Sequence, residues 1–225
     1  MNDLTPEKLV LGFIYYAVFL FSTTCHEASH ALVAKIGGDT TAALGGQVSL
    51  NPIPHIRRSF FGMVIFPIAS FLLSAGMGSV GMIGWASAPY DPLWERRHPR
   101  RSAWMALAGP AANYTLMLLA ALVMRVAHTF LMDHATGRPT FAGVTLFVVF
   151  SLNLLLGTFN LLPVPPLDGS TAVMLFMTEN RAQKYLDWIR GSSYAMAGLL
   201  VGMVLFSRVF PYVESVAWKI LLPNV

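Results

Sequence analysis

Residues 9–36 form one long apolar stretch, LVLGFIYYAVFLFSTTCHEASHALVAKI, in which His26, Glu27 and His30 are embedded. About 20 apolar residues in a helix cross the hydrocarbon core of a bilayer, so the stretch predicts a transmembrane helix. Ionisable groups at membrane depth cost free energy and usually serve a function. These three side chains are therefore the first candidate functional residues.

His26 and His30 are four residues apart, and residues at that spacing lie on one face of a helix. Their two imidazoles can bind one metal ion, and the adjacent Glu27 can act on a water molecule there. This is the H-E-x-x-H pattern of zinc sites. The alternative is a pair of structural histidines hydrogen-bonded to neighbouring helices, which the apolar surroundings disfavour.

The whole chain has the composition of an integral membrane protein. Of its 225 residues, 55% are hydrophobic and 12% charged, whereas soluble domains carry about 25% charged residues. The length suits a single domain over residues 1–225. The net charge of +4 comes from basic residues between apolar stretches, where they set orientation, so no nucleic-acid partner is expected. The single Cys25 excludes an intrachain disulfide. The N-terminal residues lack the basic start of a cleavable signal peptide.

Four further apolar stretches follow the first, at residues 60–86, 103–132, 141–162 and 194–210. They predict an all-α polytopic membrane protein. The expected fold is a three-helix catalytic core over about residues 9–178, with an additional C-terminal span over about 194–210. Residues 39–58 lie between the first two stretches and show weak alternation near Gln47–Leu50, which predicts an irregular or short-strand segment.

The stretch 60–86 contains Pro67 and several glycines, so it either crosses the membrane or returns as a re-entrant segment. If it returns, ten of the fifteen Lys and Arg residues share one face: Lys35, Arg57, Arg58, Arg96, Arg97, Arg100, Arg101, Arg181, Lys184 and Arg190. If it crosses, the arginines at 96–101 move to the opposite face. Basic loops face the cytoplasm, which favours the re-entrant alternative. We then expect a bacterial inner-membrane protein whose active site opens towards the cytoplasm.

A third metal ligand is expected, because a catalytic zinc takes three protein ligands and keeps one position open. Besides Glu27, Asp168 is the acidic residue that lies among apolar segments. It belongs to NLLPVPPLDG at 160–169, whose prolines end the helix and whose Gly169 permits a tight turn. Asp168 alternatively caps a helix predicted at 170–177. Two histidines and one carboxylate form a donor set that suits one Zn²⁺ ion.

Three motifs, in this order, resemble the site-2 protease family of intramembrane zinc metalloproteases. They are HEASH at 26–30, GPAAN at 109–113 and NLLPVPPLDG at 160–169. The resemblance covers about residues 10–178. The stretch LNPIPH at 50–55 resembles the short bacterial branch, which lacks an inserted PDZ domain. Where that branch often has Asp-Pro-x-Gly, this chain has RRSFFG at 57–62, so no role is carried over to that loop.

The resemblance implies the roles of the candidate residues. His26, His30 and Asp168 are expected to ligate one zinc ion. Glu27 is expected to be the catalytic base, and Asn160 to hold the substrate or the oxyanion.

Two further residues have alternative roles. Asn113, in the second motif, is a candidate for contact with the substrate or oxyanion, and a hydrogen bond between helices is the alternative. His55, after the first helix, either gates access to the metal or faces the membrane interface without a role at the site.

The expected function is hydrolysis of peptide bonds in a membrane-embedded substrate helix, so the partners are a transmembrane protein or peptide and the lipid bilayer. An extended stretch of substrate can add as a strand beside residues 44–50. The alternatives are a membrane metal-ion transporter and an inactive scaffold. Glu27 discriminates, because a protease needs it for turnover but not for zinc retention. The sequence specifies neither a particular substrate nor an oligomeric state.

Overall fold

The computed structural model describes residues 5–77, 81–133, 135–191 and 195–222. Its helices are α1 (Pro6–Ile36), α2 (Thr41–Leu44), α3 (Pro52–Arg58), α4 (Phe66–Gly76), α5 (Pro92–Arg97), α6 (Pro99–Val126), α7 (His128–Leu131), α8 (Phe141–Asn160), α9 (Asp168–Ala172), α10 (Glu179–Gly191) and α11 (Ala195–Leu221). A π-helical turn (Phe61–Ile65) precedes α4, and a 3-10 turn (Val173–Phe176) follows α9. Strands β1 (Met132–Asp133) and β2 (Arg138–Pro139) pair antiparallel between α7 and α8.

Within these ranges, four helices are long and apolar enough to cross a membrane, namely α1, α6, α8 and α11. The prediction of an all-α polytopic membrane protein is confirmed. Local sequence explains where the helices begin. Thr5 and Thr140 cap α1 and α8 by accepting a backbone N–H, and α6 begins at Pro99, whose missing N–H costs nothing in a first turn.

Helices α1, α6 and α8 form the core, and α6 packs against both of the others. Met117 and Phe150 are buried between α6 and α8, and Ile14 and Val148 are buried between α1 and α8. Helix α11 packs on α8 and leaves most of its apolar surface exposed. Such a surface suits lipid. The predicted three-helix core with one additional span is therefore the observed arrangement.

The last span is longer than predicted. The apolar pattern predicts a helix over about 194–210, whereas α11 continues past Pro211 to Leu221. A proline inside a helix removes one backbone hydrogen bond. Beyond it, the packing of Trp218 on α8 stabilises the extension, with its ring centroid 4.8 Å from that of Phe150.

Residues 59–77 and 81–87 form the two arms of a hairpin. The π-helical turn and α4 lie at 110° to α3, and residues 81–87 return along them as extended chain. The returning arm is hydrogen-bonded to the entering arm at four places: Gly81 to Ser74, Ile83 to Ser70, Trp85 to Gly62 and Ser87 to Ser59. Because Ser87 ends beside Ser59, the segment returns to its starting side. This path favours the re-entrant alternative.

Residues 44–50, all of which are described, form no strand. Helix α2 ends at Leu44, Gly46 follows with a φ of 74°, and Asn51 caps α3 by accepting a backbone N–H. The short-strand alternative for this segment is wrong, because asparagine followed by Pro52 begins a helix. The extended backbone lies instead in the returning arm of the hairpin.

Candidate functional site

Helix α1 brings the polar residues of its motif to one buried place. His26, Glu27 and His30 are all buried. The two imidazole rings lie edge to face, with centroids 4.6 Å apart and Nε2 atoms 3.0 Å apart. The four-residue spacing therefore places both rings on one face, as the sequence predicts.

Asp168 reaches the two histidines from the first turn of α9. Its Oδ2 lies 3.1 Å from His26 Nε2 and 3.3 Å from His30 Nε2. The three candidate ligand atoms lie within 4.8 Å of one another. Gly169 permits this close turn, since a Cβ there would lie 2.2 Å from the Leu161 carbonyl oxygen. The carboxylate faces the imidazoles and makes no capping hydrogen bond in α9.

A backbone carbonyl fixes the proton on His30. Its Nδ1 lies 2.7 Å from the Met105 carbonyl oxygen. A carbonyl only accepts, so Nδ1 carries the hydrogen and donates it. In a neutral imidazole the other nitrogen then holds a lone pair. His30 therefore faces Asp168 with an electron-pair donor at Nε2.

Two asparagines fix the proton on His26, and we call them the asparagine relay (Asn113 and Asn153). Asn153 Nδ2 donates to the Val149 carbonyl at 2.8 Å and to the Ser22 hydroxyl at 2.9 Å. Its Oδ1 is left to accept from Asn113 Nδ2 at 2.9 Å. Asn113 Oδ1 then faces His26 Nδ1 at 2.6 Å, so this nitrogen must donate. The lone pair of His26 is thereby placed on Nε2.

Three electron-pair donors, two ring nitrogens and one carboxylate oxygen, therefore converge. While both rings are neutral, these donors repel one another unless a proton or a metal ion lies among them. In a tetrahedral zinc site, metal–ligand bonds of about 2.0–2.1 Å place neighbouring ligand atoms about 3.4 Å apart. The separations here are 3.0, 3.1 and 3.3 Å. The residues present fit a zinc ion with small outward adjustments.

Gly109 on α6 provides the space for these ligands. A Cβ at this position would lie 2.4 Å from His30 Nε2 and 2.5 Å from His26 Nε2. Real Cβ atoms do not approach other atoms so closely. The glycine of the GPAAN motif therefore lets α6 approach the Nε2 atoms of the two histidines of α1.

Glu27 lies at the wall of a cavity of about 760 Å³. Its buried Oε2 has no hydrogen-bond partner in the part of the chain that the structure describes. The same cavity reaches His26, His30 and Asp168. Its other walls come from α8, α11 and residues 82–88 of the hairpin. An uncommitted carboxylate beside the candidate ligands can accept a proton from a molecule in the cavity.

The other predicted site residues lie at different places. Asn160 lines the cavity, and one N–H of its amide donates to the Leu156 carbonyl at 2.9 Å. Asn113 lies behind His26, fully buried, with its amide committed to the relay. His55 is buried on α3, where its Nε2 donates to the Ser49 carbonyl at 3.0 Å. The structure thus brings Asn160 to the cavity and Asn113 to the back of the candidate ligand His26.

Four residues at the site were missed from the sequence: Ser22, Met105, Gly109 and Asn153. Asn153 carried a signal, because an amide in the middle of an apolar helix usually bonds to another helix. Gly109 stood at the start of a motif that was already noted. Met105 contributes its backbone carbonyl, which no side-chain pattern reveals.

An ion pair at the cavity wall ties α10 to α5. Arg190 lines the cavity, and its Nη2 donates to Glu95 Oε1 at 2.6 Å. The Glu95 side chain is 3% exposed and that of Arg190 is 41% exposed. Ser102 also donates to Glu95, at 3.1 Å, and the guanidinium lies 5.5 Å from the centre of the Tyr90 ring. Glu95 is therefore a buried carboxylate that depends on Arg190 for its counter-charge.

Comparison with known proteins agrees with this geometry. The model of Peptidase family M50 matches residues 126–205. YwhC of Bacillus subtilis (strain 168), which is named as a zinc metalloprotease, is 30% identical over 219 residues that cover 93% of this chain and 90% of YwhC. Rip2 of Mycobacterium tuberculosis (strain H37Rv), named likewise, is 33% identical over 172 residues that cover 75% of this chain and 60% of Rip2. No solved structure matches the chain.

The match to YwhC extends over nearly all of both chains. The converging candidate ligands are two nitrogens and one oxygen, a set that suits zinc, and zinc is the metal in the names of both relatives. The chain belongs to Peptidase family M50, the site-2 protease family, and is a multi-pass membrane zinc metalloprotease.

Proposed function

We propose that this protease cleaves a transmembrane segment of another membrane protein, with His26, His30 and Asp168 as zinc ligands and Glu27 as the catalytic base. One observation supports this most directly. Three ligand atoms within 4.8 Å of one another lie beside a carboxylate that has no partner among the described residues. All of them line one cavity between membrane-spanning helices.

Each side chain has a distinct task in hydrolysis. Zinc, when bound, acts as a Lewis acid that polarises the scissile carbonyl and lowers the pKa of water towards about 7. Glu27 takes a proton from the attacking water as the new C–O bond forms. It later passes this proton to the leaving amine as the peptide C–N bond breaks. Met105 and Asn113 keep the Nδ1 hydrogens of the two histidines directed away from the cavity.

The returning arm of the hairpin is the proposed docking edge for an extended substrate. Its odd-numbered residues are hydrogen-bonded to the entering arm. Residues 82–88 all line the cavity, and the backbone N–H and C=O groups of Met82, Gly84, Ala86 and Ala88 make no hydrogen bond to any described residue. This alternation is that of an edge strand, to which a peptide can add. Pairing there would unwind the substrate and expose its peptide bonds to Glu27.

Asn160 is proposed to hold the substrate or the oxyanion. It lines the same cavity as Asp168. One of its two amide N–H groups is committed to Leu156, so the second N–H can donate to a bound peptide. A preorganised amide donor of this kind stabilises the developing negative charge.

The site is proposed to open towards the cytoplasm of a bacterial cell. Because the hairpin returns to its starting side, Arg57 and Arg58 lie on the same side as Arg97, and basic loops favour the cytoplasm. In cells, and with Cys25→Ala as background, a membrane-impermeant thiol reagent should label Arg138→Cys but not Arg97→Cys. The opposite labelling would reverse the orientation.

Glu27→Gln provides the test of function. Cleaved membrane fragments should be present in cells with the wild-type protein and absent with the variant, while the purified variant retains zinc. Glu179→Gln, an exposed carboxylate on α10, is the matched control. Zinc flux through proteoliposomes without any cleavage would instead support a metal-ion transporter, which nothing in the comparisons favours.

A further inference from the structure

Thr23 carries a buried hydroxyl with no hydrogen-bond partner among the described residues. The residue is 6% exposed and lies inside the apolar span α1. A buried polar group without a partner costs free energy, and such groups are rare in native structures. The hydroxyl of Thr23 therefore calls for an explanation.

The Thr23 hydroxyl does not make the hydrogen bond to its own helix that buried hydroxyls commonly make. Hydroxyls on these helices commonly donate to the carbonyl four residues earlier. Four others do so at 2.7–2.9 Å, namely Ser29, Thr115, Thr145 and Thr158. The hydroxyl of Thr23 could bond to the Phe19 carbonyl in the same way. Instead it makes no such bond, which leaves it available to a guest.

The position of Thr23 indicates what that guest is. Thr23 precedes Glu27 by four residues and so lies on the same face of α1, about 6 Å away along the axis. Both residues line the cavity, and Glu27 Oε2 is likewise unpartnered in the described part of the chain. A molecule bound beside Glu27 therefore meets a hydroxyl that can both donate and accept.

We propose that the Thr23 hydroxyl hydrogen-bonds a main-chain amide of the substrate next to the scissile bond. This inference rests on the proposed function, because the guest is the peptide on which Glu27 acts. A peptide group offers one N–H and one C=O, and a hydroxyl can pair with either. Thr23 is thus a substrate-binding residue one turn from the catalytic base.

The test compares two isosteric changes on neighbouring residues. Thr23→Val removes the hydroxyl and keeps the shape. Thr24→Val is the matched control, because Thr24 is 1% exposed and also unpartnered among the described residues, but does not line the cavity. With a transmembrane peptide that the wild type cleaves, Thr23→Val should lower kcat/KM about tenfold, the effect of one hydrogen bond to substrate. Thr24→Val should stay within about twofold, and Thr23→Ser should restore most of the loss.

Binding without turnover gives a second readout. In the Glu27→Gln background, Thr23→Val should weaken binding of the same peptide by about five- to tenfold, while zinc content stays equal in all variants. Equal behaviour of Thr23→Val and Thr24→Val would overturn the inference, and so would loss of zinc from Thr23→Val. A lower kcat with unchanged peptide affinity would assign the hydroxyl to the attacking water and also overturn it. Cleavage by the wild type distinguishes a failure of this inference from a failure of the proposed function. If the wild type cleaves the peptide and one of these overturning results is found, only the Thr23 inference fails. If the wild type cleaves no membrane-embedded substrate, the proposed function fails as well.

Discussion

The asparagine relay predicts a specific pattern of zinc affinities. Asn113→Leu removes the acceptor at 2.6 Å from His26 Nδ1. The ring can then carry its hydrogen on Nε2, where it cannot bind a metal. Loss of a partner of this kind typically weakens metal binding by about 10- to 100-fold, which is about 1.4–2.7 kcal/mol. We expect Asn113→Leu to fall in that range.

Asn153→Leu should act only through Asn113. Without Asn153 Oδ1, at 2.9 Å in the wild type, the Asn113 amide can adopt two flipped orientations. If both were equally populated, half of the molecules would present the wrong group to His26, and the apparent affinity would fall about twofold. A looser amide adds to this, so we expect a loss of about two- to tenfold. Once residue 113 is leucine, no amide remains there for residue 153 to orient. The double variant should therefore bind zinc with the same affinity as Asn113→Leu alone.

The assay is competition for zinc against a calibrated chromophoric chelator with the protein purified in detergent. Cobalt substitution gives an independent spectrum of the site. Ser151→Ala is the control, since Ser151 is on the same helix as Asn153 but makes no hydrogen bond in the described structure. If the losses of the two single variants multiply in the double variant, the links act independently and the relay is wrong. Unchanged affinity of Asn113→Leu would refute the reasoning altogether.

Three further outcomes follow from the site and its walls. Gly109→Ala should abolish zinc binding in the chelator assay because its Cβ would overlap both histidines, whereas Gly76→Ala, whose Cβ meets no described atom within 4 Å, should bind normally. Arg190→Gln leaves the buried Glu95 without its counter-charge. It should reduce the free energy of unfolding by about 1–2 kcal/mol and so lower the melting temperature by several degrees. Arg96→Gln is the control, because the pair of Arg96 with Asp187 is exposed, and it should shift the melting temperature by about a degree or less. N-methylation scanned along a peptide substrate should block cleavage at alternate positions if the peptide pairs with the hairpin edge, and uniform tolerance in the same cleavage assay would exclude strand pairing.

The grouping of the three candidate ligands could be predicted from the sequence because each carries a local signal. Two histidines four residues apart need only a helix to share a face, and α1 is helical throughout. Asp168 stood out as a carboxylate between apolar segments beside a proline-broken stretch. The relay could not be predicted in the same way. Asn113 is 87 residues from His26 and 40 from Asn153, so the packing of three helices decides which amide meets which ring.

The hairpin shows why a strand was predicted in the wrong place. Weak alternation near Gln47–Leu50 predicted an irregular or short-strand segment, but Asn51 and Pro52 begin a helix directly after it. The extended arm lies further on, in a glycine-rich stretch that has no alternating pattern. Three of its four described contacts are to hydroxyls of the entering arm, those of Ser59, Ser70 and Ser74, in place of the second strand that a sheet would supply. The alternating apolar pattern used to predict strands does not include serine side chains that hydrogen-bond to an extended backbone.

The directions of the hydrogen bonds connect the fold to its chemistry. Around the candidate metal site, the N–H groups of both imidazoles are engaged on the side away from the cavity, by the Met105 carbonyl and the Asn113 amide oxygen. Only electron-pair donors remain on the inner side. In the low dielectric between membrane helices, such a cluster is strongly repulsive without a cation and strongly attractive with one. Helix packing that directs both imidazole N–H groups away from the cavity is therefore expected to favour a metal ion as much as the three candidate ligands do.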